Sequence, residues 1–166
     1  MRRGRLQSEL ILSSPTPEQR AQWRVFLETA YALIDILDAE LQGERGLSLR
    51  WYDALVHLEE ADDGLRMNEL ASRILFSKSG LTRVVDRMEE AGLVRRERPP
   101  DDRRVVKVFI TPSGLQALHA ARTVHRRGIQ EHFVQHIGER ELTTLARTLE
   151  KVRDHVRPLR PGRVSG

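Results

Sequence analysis

The feature that most constrains the fold is a short amphipathic helix that is followed at once by two strand-like segments. Its apolar residues stand at positions i, i+3, i+4 and i+7, which places them on one narrow face of a helix. Gly92 follows as a helix stop. The pattern predicts a helix with one buried face, and that face consists of Leu81, Val84, Val85 and Met88.

A two-stranded hairpin is predicted directly after this helix. The turn residues Pro99, Pro100, Asp101 and Asp102 separate the segment 93–98 from the segment 103–110. Val106, Val108 and Ile110 alternate in the second segment, so they share one face of a strand. A further short helix over about Met67–Leu75 precedes the amphipathic helix, and the two form a helix-turn-helix.

Longer helices are predicted on both sides of this module. Thr16-Pro17 and Thr111-Pro112 each combine a capping residue with a proline at the first helical position. We expect the first helix of the chain, which begins at Thr16, to stop at Gly43. The next helix along the chain is expected to be capped by Ser48, and the fifth, which begins at Thr111, to run to about Ile137. The sixth has a 3-4-3-4 apolar stripe of coiled-coil type at Leu142, Leu145, Leu149, Val152 and Val156.

The predicted fold class is therefore mainly α with a small β-hairpin wing: a winged helix-turn-helix flanked by helical dimerisation elements. We expect a flexible basic arm over 1–15 and a disordered tail over 158–166. Between them lie an N-terminal dimerisation helix (16–46), the winged helix-turn-helix (47–111) and C-terminal dimerisation helices (112–157).

Charge is distributed unevenly along the 166 residues, whose formal net charge is +4. Residues 1–64 carry 7 Lys and Arg against 12 Asp and Glu, whereas residues 65–166 carry 21 against 12. The basic half suggests a polyanionic partner, although a solvated surface of uneven charge would look the same. The absence of cysteine excludes disulfides and thiol redox sensing. No apolar run is long enough for a bilayer and no signal peptide is evident, so we expect a cytoplasmic protein.

The polar face of the amphipathic helix has side chains suited to DNA. Arg83 is placed to bond a guanine in the major groove, Thr82 to touch a thymine methyl, and Arg87 to meet a phosphate. The alternative is an ordinary amphipathic surface helix. The predicted DNA-binding residues in and before this helix are Ser77, Lys78, Ser79, Thr82, Arg83 and Arg87.

The hairpin tip carries a second basic group, Arg103 and Arg104, beside Asp102. A narrow A·T-rich minor groove attracts arginine, and Asp102 could orient one of these side chains by a charge-assisted hydrogen bond. A solvated turn with self-neutralising charges is the alternative.

Three stretches together resemble the MarR family of transcriptional regulators. They are Gly64–Arg73, Ser77–Val94 and Asp102–Thr111, and the resemblance extends over about residues 17–157. It implies that Asp102 and Arg104 occupy the wing positions, with Arg104 in the minor groove. One departure is Arg66, which stands where a small capping residue is usual.

The resemblance also implies partners. The first, fifth and sixth helices would build a homodimer that represses transcription from a pseudo-palindromic operator and is released by a small aromatic or phenolic molecule. The alternative to dimerisation is that the apolar stripes of these helices pack within a single chain. Each candidate effector-binding residue, taken singly, is better explained as a core residue; the candidates are Trp23, Phe26, Trp51, Tyr52 and His57.

No catalytic, cofactor or metal site is predicted. The sequence lacks a Gly-rich phosphate loop, a nucleophile elbow and a His-Glu-x-x-His motif, so an enzyme is not expected. His132 and His136 stand at i, i+4 with His125 on the same face, which without a placed carboxylate or third ligand is too little for a metal site. An architectural DNA-binding protein and a winged-helix module for protein contacts, both without sequence-specific regulation, also fit the pattern.

Overall fold

The structure, a computed structural model, describes residues 14–74, 80–98 and 105–156. The chain divides after Asp35 into two compact units, which are described separately. No helix in the described ranges is long and apolar enough to span a membrane.

The first unit contains the beginning of helix α1 (Pro17–Arg45). Thr16 caps this helix as predicted: its backbone N–H donates to Gln19 Oε1 at 2.8 Å, and Gln19 N–H donates to Thr16 Oγ1 at 3.2 Å. The rings of Trp23 and Phe26 lie 5.6 Å apart, and both side chains are exposed. This part of α1 therefore presents apolar side chains on its surface.

Helix α1 continues into the second unit and ends at Arg45, two residues beyond the predicted stop. Gly43 is helical, and Gly46 has a φ of +63°, the left-handed conformation that terminates many helices. The Gly46 N–H donates to Gln42 O at 2.9 Å, which closes the last turn. The remaining elements are α2 (Leu49–Glu59), β1 (Leu65–Arg66), α3 (Met67–Arg73), α4 (Leu81–Glu90), β2 (Val94–Glu97), β3 (Lys107–Ile110), α5 (Pro112–His132), a 3₁₀ turn (Val134–His136) and α6 (Glu139–Val156).

The sheet has three antiparallel strands in the order β1-β3-β2, not the two that the sequence predicts. Leu65 pairs with Val108, and Val94 pairs with Ile110. The additional strand, β1, has only two residues, too few to show an alternating pattern. It ties the start of α3 to the hairpin, so the helix-turn-helix and the hairpin share one sheet.

One core joins the end of α1, helices α2 to α5 and the sheet, whereas α6 contributes no buried residue. The α4 stripe is buried as predicted, with Val85 and Met88 fully inaccessible. Ser48 caps α2 by accepting from Trp51 N–H at 3.1 Å, again as predicted. Large side chains that are less than 2% exposed come from α1 to α5 and from β3, namely Leu41, Leu55, Leu58, Leu70, Val85, Met88, Val108, Leu118 and Val124.

The junction between the sheet and α5 is closely packed. Thr111 Oγ1 accepts from Gly114 N–H at 3.0 Å and donates to Gly92 O at 2.7 Å, so one hydroxyl caps α5 and holds the end of α4. A Cβ on Gly114 would fall directly on the carbonyl oxygen of Leu93. Helix α5 ends at His132, five residues before the predicted end, because Val134–His136 tighten into a 3₁₀ turn.

Candidate nucleic-acid interface

Helix α4 has two distinct faces. Leu81, Val84, Val85 and Met88 are buried, whereas Thr82, Arg83 and Arg87 are exposed. The exposed residues come from the face that the sequence assigned to DNA. Their role in binding remains a prediction, but each side chain is accessible to a ligand.

Helix α4 starts after a glycine in a left-handed backbone conformation. The helix begins at Leu81, and Gly80 before it has a φ of +80°, which a residue with a side chain rarely adopts. The predicted DNA-binding residues Ser77, Lys78 and Ser79 lie outside the described residues.

An arginine of β2 fixes the orientation of α4. Arg96 Nη1 donates to Glu89 Oε2 at 2.6 Å, and Arg96 Nη2 donates to Asp86 Oδ1 at 2.6 Å. The Arg96 backbone N–H also donates to Glu89 Oε1 at 2.7 Å. These bonds join two successive turns of α4 to the sheet. Two carboxylates on this face of the helix are therefore paired within the protein, and one guanidinium charge offsets part of the repulsion that they would exert on a polyanion.

Arg96 keeps its charge in this position. Partial burial works against the guanidinium charge, but the hydrogen bonds to Asp86 and Glu89 outweigh it and raise the pKa of Arg96. Sequence patterns do not identify Arg96, because it stands in a run of alternating charges with no distinguishing signal.

The hairpin has its own internal supports. The guanidinium of Arg95 lies 4.8 Å from the centroid of the Phe109 ring on the neighbouring strand, a cation–π contact. Lys107 Nζ lies 2.5 Å from Asp63 Oδ2, which holds β3 to the loop before β1. These contacts brace the two strands that lead to the predicted wing tip. The tip residues Asp102, Arg103 and Arg104 lie outside the described residues.

The N-terminus of α3 is capped even though Arg66 stands where a small capping residue is usual. The Arg66 backbone N–H donates to Glu69 Oε2 at 2.7 Å, so the α3 N-terminus has the half of a capping box that glutamate supplies.

The candidate effector residues fall into two groups. Trp23 and Phe26 are exposed in the first unit, and Trp51, Tyr52 and His57 are buried or half-buried on α2 in the second. The Tyr52 ring packs on His125 of α5 with centroids 4.5 Å apart. Burial raises the pKa of the Tyr52 hydroxyl and lowers the pKa of the His125 imidazole.

A charged pair borders this aromatic contact. Arg122 of α5 donates to both carboxylate oxygens of Glu59 on α2, and His119 Nε2 lies 3.0 Å from Glu59 Oε1. The hydrogen bonds from Arg122 are the main reason that the pKa of Glu59 is lowered. Tyr52 and His125 thus lie beside a polar network that links α2 to α5.

The order α2-β1-α3-α4-β2-β3 around one core, with an exposed polar face on α4, defines a winged helix-turn-helix protein. Two solved structures share this architecture over nearly their full lengths. AbsC, a MarR family transcriptional regulator from Streptomyces coelicolor, is 34% identical, with 87% of this chain and 98% of that chain covered and a TM-score of 0.79. Sco3205, a MarR family regulator from the same organism solved in complex with DNA, is 30% identical, with 90% and 96% covered and a TM-score of 0.80.

Sequence comparisons agree. A sequence profile of the MarR family matches residues 45–105. The transcriptional repressor IacR of Pseudomonas putida is 32% identical over 103 residues, which are 62% of this chain and 60% of that protein. The chain belongs to the MarR family of transcriptional regulators, which confirms the predicted resemblance and fold class. It spans only about half to three-fifths of the length of curated relatives such as IacR.

Proposed function

We propose that this protein is a homodimeric, sequence-specific regulator that binds double-stranded DNA through α4 and the wing. The observation that carries the proposal is that Thr82, Arg83 and Arg87 are exposed on a helix whose opposite face is buried in the core. A major groove accepts one α-helix, and a rigid helix with a polar outer face is what groove reading requires. That Sco3205 was solved with DNA supports the proposal.

Each DNA-contacting residue has a distinct task in this proposal. Arg83 bonds a guanine edge, Thr82 contacts a thymine methyl, and Arg87 binds a phosphate. Arg104 enters the adjacent minor groove, and Asp102 orients it. The further predicted contacts at the helix start and the wing are Ser77, Lys78, Ser79 and Arg103.

Regulation forms the second part of the proposal. The protein represses transcription from its operator. That operator is pseudo-palindromic, because a two-fold dimer requires symmetric half-sites about one helical turn apart. IacR is a repressor, which supports this direction of control. A small aromatic or phenolic effector would release the DNA, and the candidate residues for binding it are Trp23 and Phe26 in the first unit and Trp51, Tyr52 and His57 in the second. The protein would act in the cytoplasm, with the DNA, and the proposal includes no catalytic step.

The test compares Arg83→Ala with Arg104→Ala on DNA from upstream of the protein's own gene. Fluorescence anisotropy at fixed salt measures affinity for that DNA and for single-base variants. Arg83→Ala should cost about 1–3 kcal/mol and relax preference at one base pair per half-site. Arg104→Ala should weaken binding to many sequences, most at A·T-rich flanks.

Arg147→Ala is the matched control, because it removes an exposed arginine from α6, outside the proposed interface. It should leave affinity within about twofold, and all three variants should melt like wild type. Unchanged affinity in folded Arg83→Ala and Arg104→Ala would reject the winged-helix mechanism. Tight binding without base preference would favour an architectural protein instead.

A further inference from the structure

A cluster of two carboxylates and one imidazole lies in the second unit where the end of α1 meets the end of α5. Glu40 belongs to α1, and Glu131 and His132 are the last two residues of α5. One ligand atom from each of the three lies within 4.8 Å of the other two. This cluster is separate from α4 and from the wing strands.

Glu40 and His132 are the half-buried members of the cluster, and Glu131 is exposed. Glu40 Oε1 lies 2.6 Å from His132 Nε2, and the Glu40 side chain is only 22% exposed. Its second oxygen, Oε2, is buried and has no hydrogen-bond partner within the described ranges. Buried carboxylate oxygens are normally satisfied, so this one lacks an electropositive partner.

The glycine at position 128 is what lets Glu40 come so close to α5. A Cβ at Gly128 would lie 2.6 Å from Glu40 Oε2, so no other residue type fits beside this carboxylate in its present place. The unpaired oxygen therefore lies close to α5 at Gly128, while the other oxygen of Glu40 contacts His132.

The nearest arginine, Arg127, is shared between the cluster and a neighbouring carboxylate. Arg127 donates to both carboxylate oxygens of Glu44, and this pairing lowers the pKa of Glu44. Arg127 Nε also lies 3.9 Å from Glu131 Oε1. One guanidinium charge therefore serves Glu44 and Glu131 together, and within the described ranges it donates no hydrogen bond to Glu40 Oε2.

We propose that Glu40, Glu131 and His132 bind one divalent transition-metal ion, of which Zn²⁺ is the best match. One imidazole and two carboxylates suit Zn²⁺, whereas Mg²⁺ and Ca²⁺ favour all-oxygen sites. Three protein ligands leave a fourth position to water. The ion would bind among the ligand atoms of these three side chains and tie the end of α1 to the end of α5.

The distances allow such an ion after small side-chain movements. Tetrahedral Zn²⁺ with bonds near 2.1 Å separates its ligand atoms by about 3.4 Å. The Glu40–His132 contact of 2.6 Å would open by under about 1 Å. Glu131 is 49% exposed and free to rotate inward to close the longer gaps. The sequence alone favoured no metal, because Glu40 is 92 residues from His132 along the chain.

The test titrates metal-free protein with ZnCl₂ in a calorimeter, and it does not depend on the proposed DNA-binding function. We expect one Zn²⁺ per chain and visible d–d absorption bands when Co²⁺ replaces it. His132→Gln and Glu131→Gln should each weaken Zn²⁺ binding by about tenfold or more. Because Glu131 is half-exposed, its variant should fold normally even if a variant at His132 does not.

His119→Gln is the matched control. His119 pairs with Glu59 at 3.0 Å in the same kind of contact, on the same helix, but outside the cluster of three ligands. It should bind Zn²⁺ like wild type. The absence of saturable binding, or equal affinity in wild type and folded Glu131→Gln and His132→Gln, would overturn the proposal.

Discussion

The contacts of Arg96 decide how firmly α4 is held. One guanidinium bonds carboxylates on two turns of α4 and comes from the strand that leads to the wing. A single side chain therefore couples the orientation of the helix to that of the hairpin. Arg95, its neighbour, lies instead over the Phe109 ring and pairs with Glu97 on the surface.

Arg96→Gln should lower the free energy of unfolding by about 1–2 kcal/mol, because Asp86 and Glu89 lose a charged donor and part of that loss is screened by solvent. Urea denaturation measures the change. Arg95→Gln is the control, since its pair with Glu97 is exposed, and it should cost less than about 0.5–1 kcal/mol. Equal losses in the two variants would show that Arg96 is an ordinary surface arginine.

This arginine also shows what the sequence could not provide about the candidate site. The outer face of α4 follows from helical periodicity, so the exposure of Thr82, Arg83 and Arg87 was predictable. The pairing of Arg96 with α4 was not predictable, because Arg95, Arg96 and Arg98 look alike in sequence. Only the pairing of β2 with β3 and its packing on α4 singles one of them out.

Among the elements, α5 makes two close approaches, and glycine permits both. At Gly114 the obstacle to a side chain is backbone, the carbonyl of Leu93, with Ile110 Cγ1 at 2.9 Å from the position of a Cβ. At Gly128 the obstacles are the ends of two flexible side chains, Leu37 and Glu40. The first junction cannot adjust without moving the sheet, whereas the second can adjust by rotamer changes.

Gly114→Ala should therefore destabilise the protein by about 2–3 kcal/mol. Gly128→Ala should cost less than about 1 kcal/mol, because the gain in helix propensity from alanine offsets the displacement of Leu37 and Glu40. Thermal unfolding of the two variants beside wild type provides the comparison. A loss at Gly128 as large as that at Gly114 would mean that α1 and α5 are locked together more rigidly than their contacts indicate.

The helix ends show where sequence patterns were sufficient and where they failed. The caps at Thr16, Ser48 and Thr111 are as predicted, because a cap is a local contact between residues three apart. The stop at Gly43 was wrong, since two nearby glycines compete and only Gly46 adopts a positive φ. Strand β1 was missed because its pairing with β3 is long-range and leaves no periodic signal.

At the scale of the whole molecule, exposed apolar surface is concentrated on two helices. All nine large apolar side chains that stand out as exposed in the described part of the chain belong to α1 or α6. Helix α6 has no buried residue, yet its apolar stripe is regular. A monomeric soluble protein rarely leaves such apolar stripes uncovered, so the stripes on α1 and α6 indicate a surface that a partner would bury. The nine residues are Trp23, Val25, Phe26, Tyr31, Ile34, Ile36, Leu149, Val152 and Val156.

A homodimer, as proposed above, would cover these stripes, and Leu149→Asp tests it. Leu149 is 37% exposed in one chain, so aspartate there should be tolerated by the monomer fold but would place a charge in a dry interface. Light scattering should show wild type at twice the 19.1 kDa mass of one chain and the variant shifted toward 19.1 kDa.

Thr143→Asp adds the same charge to the opposite side of α6 and should remain dimeric. A wild-type mass of 19.1 kDa at micromolar concentration would exclude the dimer. A dimer that tolerates Leu149→Asp as well as Thr143→Asp would place the interface away from the α6 stripe.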